Sequence, residues 1–105
     1  MRFSVNWYHI NCGKKRNPHS CPVALVISGA VKLGVQVAVI PNKLRLTPTY
    51  GYEISIALPP EVEKFRCDFD WNDVVTGPGR LGEMVHSHCR PFEFEIDIPE
   101  EMVLR

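Results

Sequence analysis

The stretch from Ser20 to Gly34 constrains the fold of this chain more than any other. Apolar residues cover nearly every side of it, which is typical of a helix buried in a core. Ser20 is placed to cap this helix and Pro22 lies in its first turn, where a missing N–H costs nothing. Gly34 can take the left-handed conformation that ends a helix. A buried strand over residues 23–27 is the alternative, but length and capping favour the helix.

The composition excludes several classes of protein. Twelve basic and twelve acidic residues cancel, whereas a general nucleic-acid binder would be strongly basic. A hydrophobic fraction of 45% provides a core for one domain, residues 1–105. No apolar run reaches the length of a membrane span, and the N-terminus alternates like a strand, so we expect a cytoplasmic protein without membrane contact. In that compartment the four cysteines are expected to be thiols.

Alternation of apolar and polar residues predicts most of the remaining elements. The expected order is β-α-β-β-β-α-β, with strands over residues 3–8, 35–39, 43–46, 52–58 and 92–98. A second helix begins at Pro59-Pro60-Glu61 and ends near residues 70–72, and residues 74–90 are mostly loop. We therefore predict an α+β two-layer sandwich in which both helices pack on one face of a mixed sheet. A right-handed crossover through the central helix would make the first two strands parallel.

Short motifs in a fixed order are spread over most of the chain. They include Cys21-Pro22-Val23-Ala24-Leu25, Leu58-Pro59-Pro60-Glu61-Val62 and Pro91-Phe92-Glu93-Phe94. Together they resemble a family of small, mostly uncharacterised proteins from phages and their bacterial hosts. The resemblance implies no enzymatic motif. Small phage accessory proteins often act against host defences, and some sequester nucleotide immune signals, so the resemblance implies an anti-defence role by analogy of class.

A basic loop precedes the central helix and is the first candidate for a functional site. A helix N-terminus favours an anion such as phosphate, and Lys14-Lys15-Arg16 would add positive charge. Aromatic side chains available to stack on a base are Trp7, Tyr8, Tyr50, Tyr52 and Trp71. The alternative is a solvated basic loop before an ordinary capped helix. The candidate ligand-binding residues are Trp7, His9, Lys14, Lys15, Arg16, His19, Ser20, Arg80 and His86.

The glycine-rich segment Gly77–Gly82 is the second candidate. Glycines let a backbone approach a phosphate, and Arg80 could clamp one. If the segment binds, it would act as a lid over the first site. The alternative is an ordinary surface loop.

Metal binding and catalysis are weaker alternatives. Cys12, His19 and Cys21 lie close in sequence, as do His86, His88 and Cys89, but neither group has zinc-ligand spacing. The second group could also serve a small hydrolase, although nucleophile-elbow, P-loop and HExxH patterns are absent. Asp68 and Asp70 are expected to solvate the end of the second helix. We therefore expect no metal, no cofactor and no catalytic residue.

The leading hypothesis is a small phage-encoded binding protein that sequesters an anionic nucleotide-like ligand. The alternative function is a protein-binding antagonist or assembly protein that uses its outer sheet face or an edge strand. A homo-oligomer is expected, because the alternating last strand before Pro99 is typical of an exposed sheet edge.

Overall fold

The computed structural model of the chain describes residues 1–71, 74–76, 84–86 and 89–104. The described residues form helices and short strands. The helices are α1 (Trp7–Cys12), α2 (Pro22–Ser28) and α3 (Pro60–Trp71). The strands are β1 (Arg2–Val5), β2 (Gln36–Ile40), β3 (Lys43–Thr47), β4 (Ile54–Ala57), β5 (Val74–Thr76), β6 (Met84–His86) and β7 (Phe92–Glu95). A 3-10 turn, Glu100–Met102, follows β7. The expected α+β class, with helices packed on sheets, is confirmed.

The three strands β2, β3 and β4 form an antiparallel meander. Pro41 and Asn42 make the first turn, in which Pro41 fixes its own backbone angle and Asn42 takes a left-handed φ of 62°. The register pairs Val39 with Leu44 and Leu44 with Ile56. Alternate residues therefore face the core, where Leu44 and Leu46 are fully buried.

Helix α2 packs against both this meander and a second sheet, which carries a row of phenylalanine rings. Strands β1 and β7 pair antiparallel, with Phe3 opposite Phe94 and their ring centroids 5.3 Å apart. Phe65 of α3 lies 4.7 Å from the ring of Phe92. Ile27 of α2 is fully buried in the same hydrophobic cluster, which includes residues from Phe3 to Met102. No helix in the described ranges is long and apolar enough to cross a membrane.

The first predicted strand is too long, because a helix replaces its end. Asn6 caps α1 by accepting a hydrogen bond from the backbone N–H of His9, while the N–H of Asn6 donates to His9 Nδ1. This reciprocal cap starts a helix at Trp7, where the alternation of Phe3, Val5 and Trp7 predicts a continuing strand.

The central helix is shorter than predicted. Cys21, not Ser20, is its N-cap, and the helix ends at Gly29 instead of Gly34. Beyond Gly29 the backbone pairs with the C-terminal segment, where Leu104 donates its N–H to the carbonyl of Ala30. Gly34 is left-handed as expected, with φ 91°, but it lies in a turn.

The expected parallel pairing of the first two strands is wrong. β1 pairs with β7 and β2 pairs with β3, and every ladder between the described strands is antiparallel. The mixed sheet is therefore replaced by separate antiparallel sheets with α2 packed against both β1 and β2.

Candidate ligand site

The N-terminus of α2 is closed to a ligand. Pro22, Val23 and Ala24 are buried, and the thiol of Cys21 accepts the N–H of Ala24. The backbone of Gly13 also packs on the Pro22 ring, since a Cβ on Gly13 would lie 2.6 Å from Pro22 Cδ. The burial of this first turn does not favour the anion site that the sequence predicts at this helix end. Ser20 does not cap the helix, and its carbonyl accepts the N–H of Lys14.

Arg16 is held against the end of α3 by three contacts. Its N–H donates to Asp70 Oδ1 at 3.0 Å, and its Nη1 donates to the carbonyl of Asp70 at 3.2 Å. Its guanidinium carbon lies 5.5 Å from the centre of the Trp71 ring, within the range of a cation–π contact. The backbone of Arg16 is left-handed, with φ 54°, a conformation that a side chain rarely adopts without such support. The basic loop is thus ordered around this arginine.

A cavity of about 250 Å³ lies beside Arg16 and Trp71. Arg16, Arg66, Asp70 and Trp71 supply its polar and aromatic wall. The rest of the lining is apolar and consists of Pro18, Val39, Ile40 and Pro41. Trp71 is 68% exposed, so the arrangement presents an aromatic ring and a cation over an apolar surface. We call this the Arg16–Trp71 cavity.

Arg66, which lines the cavity, forms an ionic network with Glu63 and Asp70 of the same helix. Arg66 is 7% exposed and donates from Nε and Nη2 to the two carboxylate oxygens of Glu63, at 2.7 and 2.8 Å. Its Nη1 donates to Asp70 Oδ2 at 3.1 Å. The hydrogen bonds from Arg66 lower the pKa of Glu63 from 4.5 to about 2. Glu63 therefore stays charged at neutral pH, and the hydrogen bonds to Glu63 and Asp70 hold Arg66 in place in the wall of the cavity.

The structure separates the other predicted site residues. His19 Nδ1 lies 2.9 Å from the carbonyl of Val37 and covers the edge of β2. His9 is engaged in the cap of α1, and Trp7 is 45% exposed on the same helix. Lys14 and Lys15 belong to the loop of Arg16. Arg80, the Gly77–Gly82 segment and the side chain of His86 lie outside the described residues.

Two of the cysteines that could act as nucleophiles are poorly placed for it. Cys21 and Cys89 are 3% and 2% exposed, and burial raises the pKa of each thiol to about 11. Thiols with such values are protonated at neutral pH and are weak nucleophiles. In the part of the chain that the structure describes, no three His, Cys, Asp or Glu side chains group as metal ligands.

The sequence places Asp70 in solvent and names Trp71 only as one of several aromatic side chains available for stacking. Asp70 is 8% exposed instead of solvated, because Arg66 and the Arg16 loop cover it. The spacing of Arg66 and Asp70, four residues apart on one helix, is the only local signal of this pairing.

A second, larger groove of about 540 Å³ lies at the turn before β4. Leu33, Tyr50 and Tyr52 border it and are 99%, 92% and 93% exposed. Gly34 shapes the groove, because its carbonyl accepts the hydroxyl of Thr49 and a Cβ there would meet that hydroxyl at 2.4 Å. Tyr50 and Tyr52, considered above as stacking residues, therefore lie in a different cavity from Arg16 and Trp71.

Comparison with known proteins gives no family for the chain. No protein-family model matches it, and searches of curated proteins and of solved structures found no match. The resemblance to the phage family stays a prediction, and the functional argument rests on the geometry of the site.

Proposed function

We propose that the protein binds a small anionic, nucleotide-like ligand in the Arg16–Trp71 cavity and does not turn it over. The observation that carries the proposal is the guanidinium of Arg16, held 5.5 Å from the Trp71 ring at an apolar cavity. A positively charged donor group and an aromatic ring on one apolar surface are what a phosphorylated base requires.

The anion would be bound by the guanidinium. Arg16 has five N–H donors, and among the described residues one bond, from Nη1 to the Asp70 carbonyl, uses them. Because that bond and the left-handed backbone fix the side chain, a ligand would not have to order it. Lys14 and Lys15 are in the same loop and add positive potential around the cavity.

The ring of the ligand would lie along Trp71 and the apolar wall. Base–aromatic stacking contributes about 1–3 kcal/mol per base. A volume of about 250 Å³ is slightly below the usual range for drug-sized ligands, so the cavity fits a mononucleotide-like fragment and not a long strand.

Capture without catalysis is favoured by the state of Cys89, one of the two cysteines, Cys12 and Cys89, that could serve as a nucleophile. Cys89 was the nucleophile of the hydrolase alternative, and its raised pKa keeps it as a protonated thiol. The role implied by the family resemblance, sequestration of a nucleotide signal in a host cell, is compatible with such a site and is part of this proposal.

The proposal is tested by what the protein releases. Purified protein is incubated with a nucleotide extract, washed, denatured by heat and analysed by liquid chromatography and mass spectrometry. We expect an anionic nucleotide, released unchanged, from the wild type, and a strong loss of it from Trp71→Ala. A chemically altered product would indicate an enzyme.

Trp7→Ala is the matched control, since Trp7 is also an exposed tryptophan but lies on α1. It should release as much ligand as the wild type. Equal release from all three proteins would exclude the cavity. A co-purifying protein in place of a nucleotide would favour the protein-binding alternative.

A further inference from the structure

The two outer edges of the β2–β3–β4 meander are treated differently by the chain. At the β2 edge, Val39 donates its N–H to the carbonyl of Pro18 at 2.8 Å, and the carbonyl of Val37 meets His19 Nδ1 at 2.9 Å. The basic loop therefore closes this edge. Closing an edge with a loop is a common way to prevent pairing with another chain.

The β4 edge carries no such cover among the described residues. Leu58 donates its N–H to the carbonyl of Asn42. Hydrogen-bonded residues alternate along an antiparallel ladder, so Ile56 and Ile54 are the other residues of this strand that bond to β3. The N–H and carbonyl groups of Ser55 and Ala57 then point away from the sheet. Both residues are exposed, and the strand Ile54–Ala57 contains no charge and no proline that would discourage pairing.

From this edge we infer that the protein is a homodimer in which β4 pairs antiparallel with β4 of a second copy. The two-fold axis would pass beside Ser55, so that Ser55 faces its own counterpart and Glu53 faces Ala57 of the partner. All outward backbone groups of the strand would be bonded, and the two three-stranded sheets would join into one.

Charge complementarity favours a second copy as the occupant. Lys43 lies on β3 and is paired with Ala57 of β4. In the proposed register Ala57 faces the partner's Glu53, so Lys43 lies in line with that carboxylate. Two strand spacings of about 4.8 Å separate their Cα atoms, and Ala57 between them is too small to block the two long side chains. The contact occurs twice by symmetry, and Glu53 also keeps its own Arg45 at 3.4 Å.

Tyr52 lies next to the same edge and is 93% exposed. In the proposed register it lies opposite Leu58 of the partner subunit and adds an aromatic side chain beside the backbone ladder. β7, the edge expected from the sequence, is less suitable for self-pairing. Its exposed Glu93 and Glu95 would bring like charges together.

Sedimentation equilibrium tests the inference with charge exchange. The wild type should reach twice the chain mass of 12.0 kDa as its concentration rises. Lys43→Glu and Glu53→Lys should each weaken dimerisation on the order of tenfold, because each places like charges in line twice. An equimolar mixture of the two variants should recover the dimer, since a mixed pair restores both contacts.

Two further variants make the result decisive. Ser55→Pro removes an outward N–H at the axis and should be monomeric, with its fold checked by circular dichroism. Glu95→Lys makes the same charge change on β7 and should remain dimeric. A wild type that stays at 12.0 kDa over the whole series overturns the inference, as does a mixture that fails to recover the dimer. Loss of the dimer in Glu95→Lys would move the interface to β7.

Discussion

Arg66 joins the two places in the described part of the chain where a residue other than glycine is left-handed. Arg16 donates its backbone N–H to Asp70, and Asn42 donates its own to Glu63 at 2.9 Å. Arg66 bonds to both carboxylates and thereby links the basic loop, the β2–β3 turn and α3. Strained backbone of this kind persists only where its surroundings hold it in place.

Replacing Arg66 with methionine should be strongly destabilising. The change leaves the buried Asp70 and the half-buried Glu63 without the Arg66 guanidinium, and breaking a buried pair such as Arg66–Asp70 costs about 3–5 kcal/mol. Urea unfolding measures the loss. The control is Lys64→Met, which breaks the ion pair of a 78% exposed lysine with Asp68 and should cost far less, because surface ion pairs contribute little to stability. Equal losses of unfolding free energy in the two variants would show that the Arg66 network contributes no more than an exposed ion pair.

Stability should fall in acid, and Glu63 should cause part of the fall. Its folded-state pKa is lowered from 4.5 to about 2, so its contribution is complete above about pH 4.5 and is lost as the pH falls towards 2. In Glu63→Gln the free energy of unfolding should vary less over this interval. Parallel curves for the two proteins would assign the acid sensitivity to other groups.

Asp70 illustrates what a sequence cannot supply at this scale. An aspartate near the end of an amphipathic helix is normally solvated, and the local pattern predicts that outcome. Its burial depends on a loop 54 residues earlier in the chain, and no short-range periodicity contains that contact.

Among the elements, the strands follow their patterns better than the helices. Leu44 and Leu46 on β3 and Phe94 on β7 are buried as their alternation predicts. A strand needs only one face buried, so alternation alone fixes its orientation. The extent of α2 was less predictable. Gly29 ends it because the next residues pair with the C-terminal segment, which removes them from the helix.

The same helix offers a matched pair of substitutions. Ile27→Ala should destabilise by about 2–5 kcal/mol, since Ile27 is fully buried in the core cluster. Leu25 was expected in the core from its sequence context, but it is half-buried, so Leu25→Ala should cost clearly less. Thermal unfolding of both variants measures the difference. The reverse order would contradict the packing of α2.

Over the whole molecule, ligand binding and dimerisation should be independent. The Arg16–Trp71 cavity is lined in part by Val39 and Ile40 of β2, whereas the inferred dimer interface is formed by β4, at the opposite edge of the same sheet. Ser55→Pro should therefore bind ligand as the wild type does, and Trp71→Ala should remain dimeric. Titration and sedimentation on both variants test this. Ligand affinity that falls with the dimer would place the site between two copies.

The position of the site was only partly predictable. The basic loop makes Arg16 a candidate from the sequence alone, because charge and glycine content are visible there. Its partner Trp71 was one aromatic among five, and only the tertiary fold brings it to the loop. The burial of the helix N-terminus, which does not favour a site there, depends on how Gly13 packs on Pro22 and is not visible in the sequence.

Calorimetric titration with a panel of linear and cyclic mononucleotides tests the proposed function most directly. The wild type and Trp7→Ala should bind the same member of the panel with equal affinity. Arg16→Gln should lose about tenfold to a hundredfold, since a hydrogen bond to a charged group contributes about 1.5–3 kcal/mol. Trp71→Ala should lose a similar factor, and higher salt should weaken wild-type binding. The account is contradicted if Trp71→Ala and Arg16→Gln bind as the wild type does, or if no nucleotide in the panel binds.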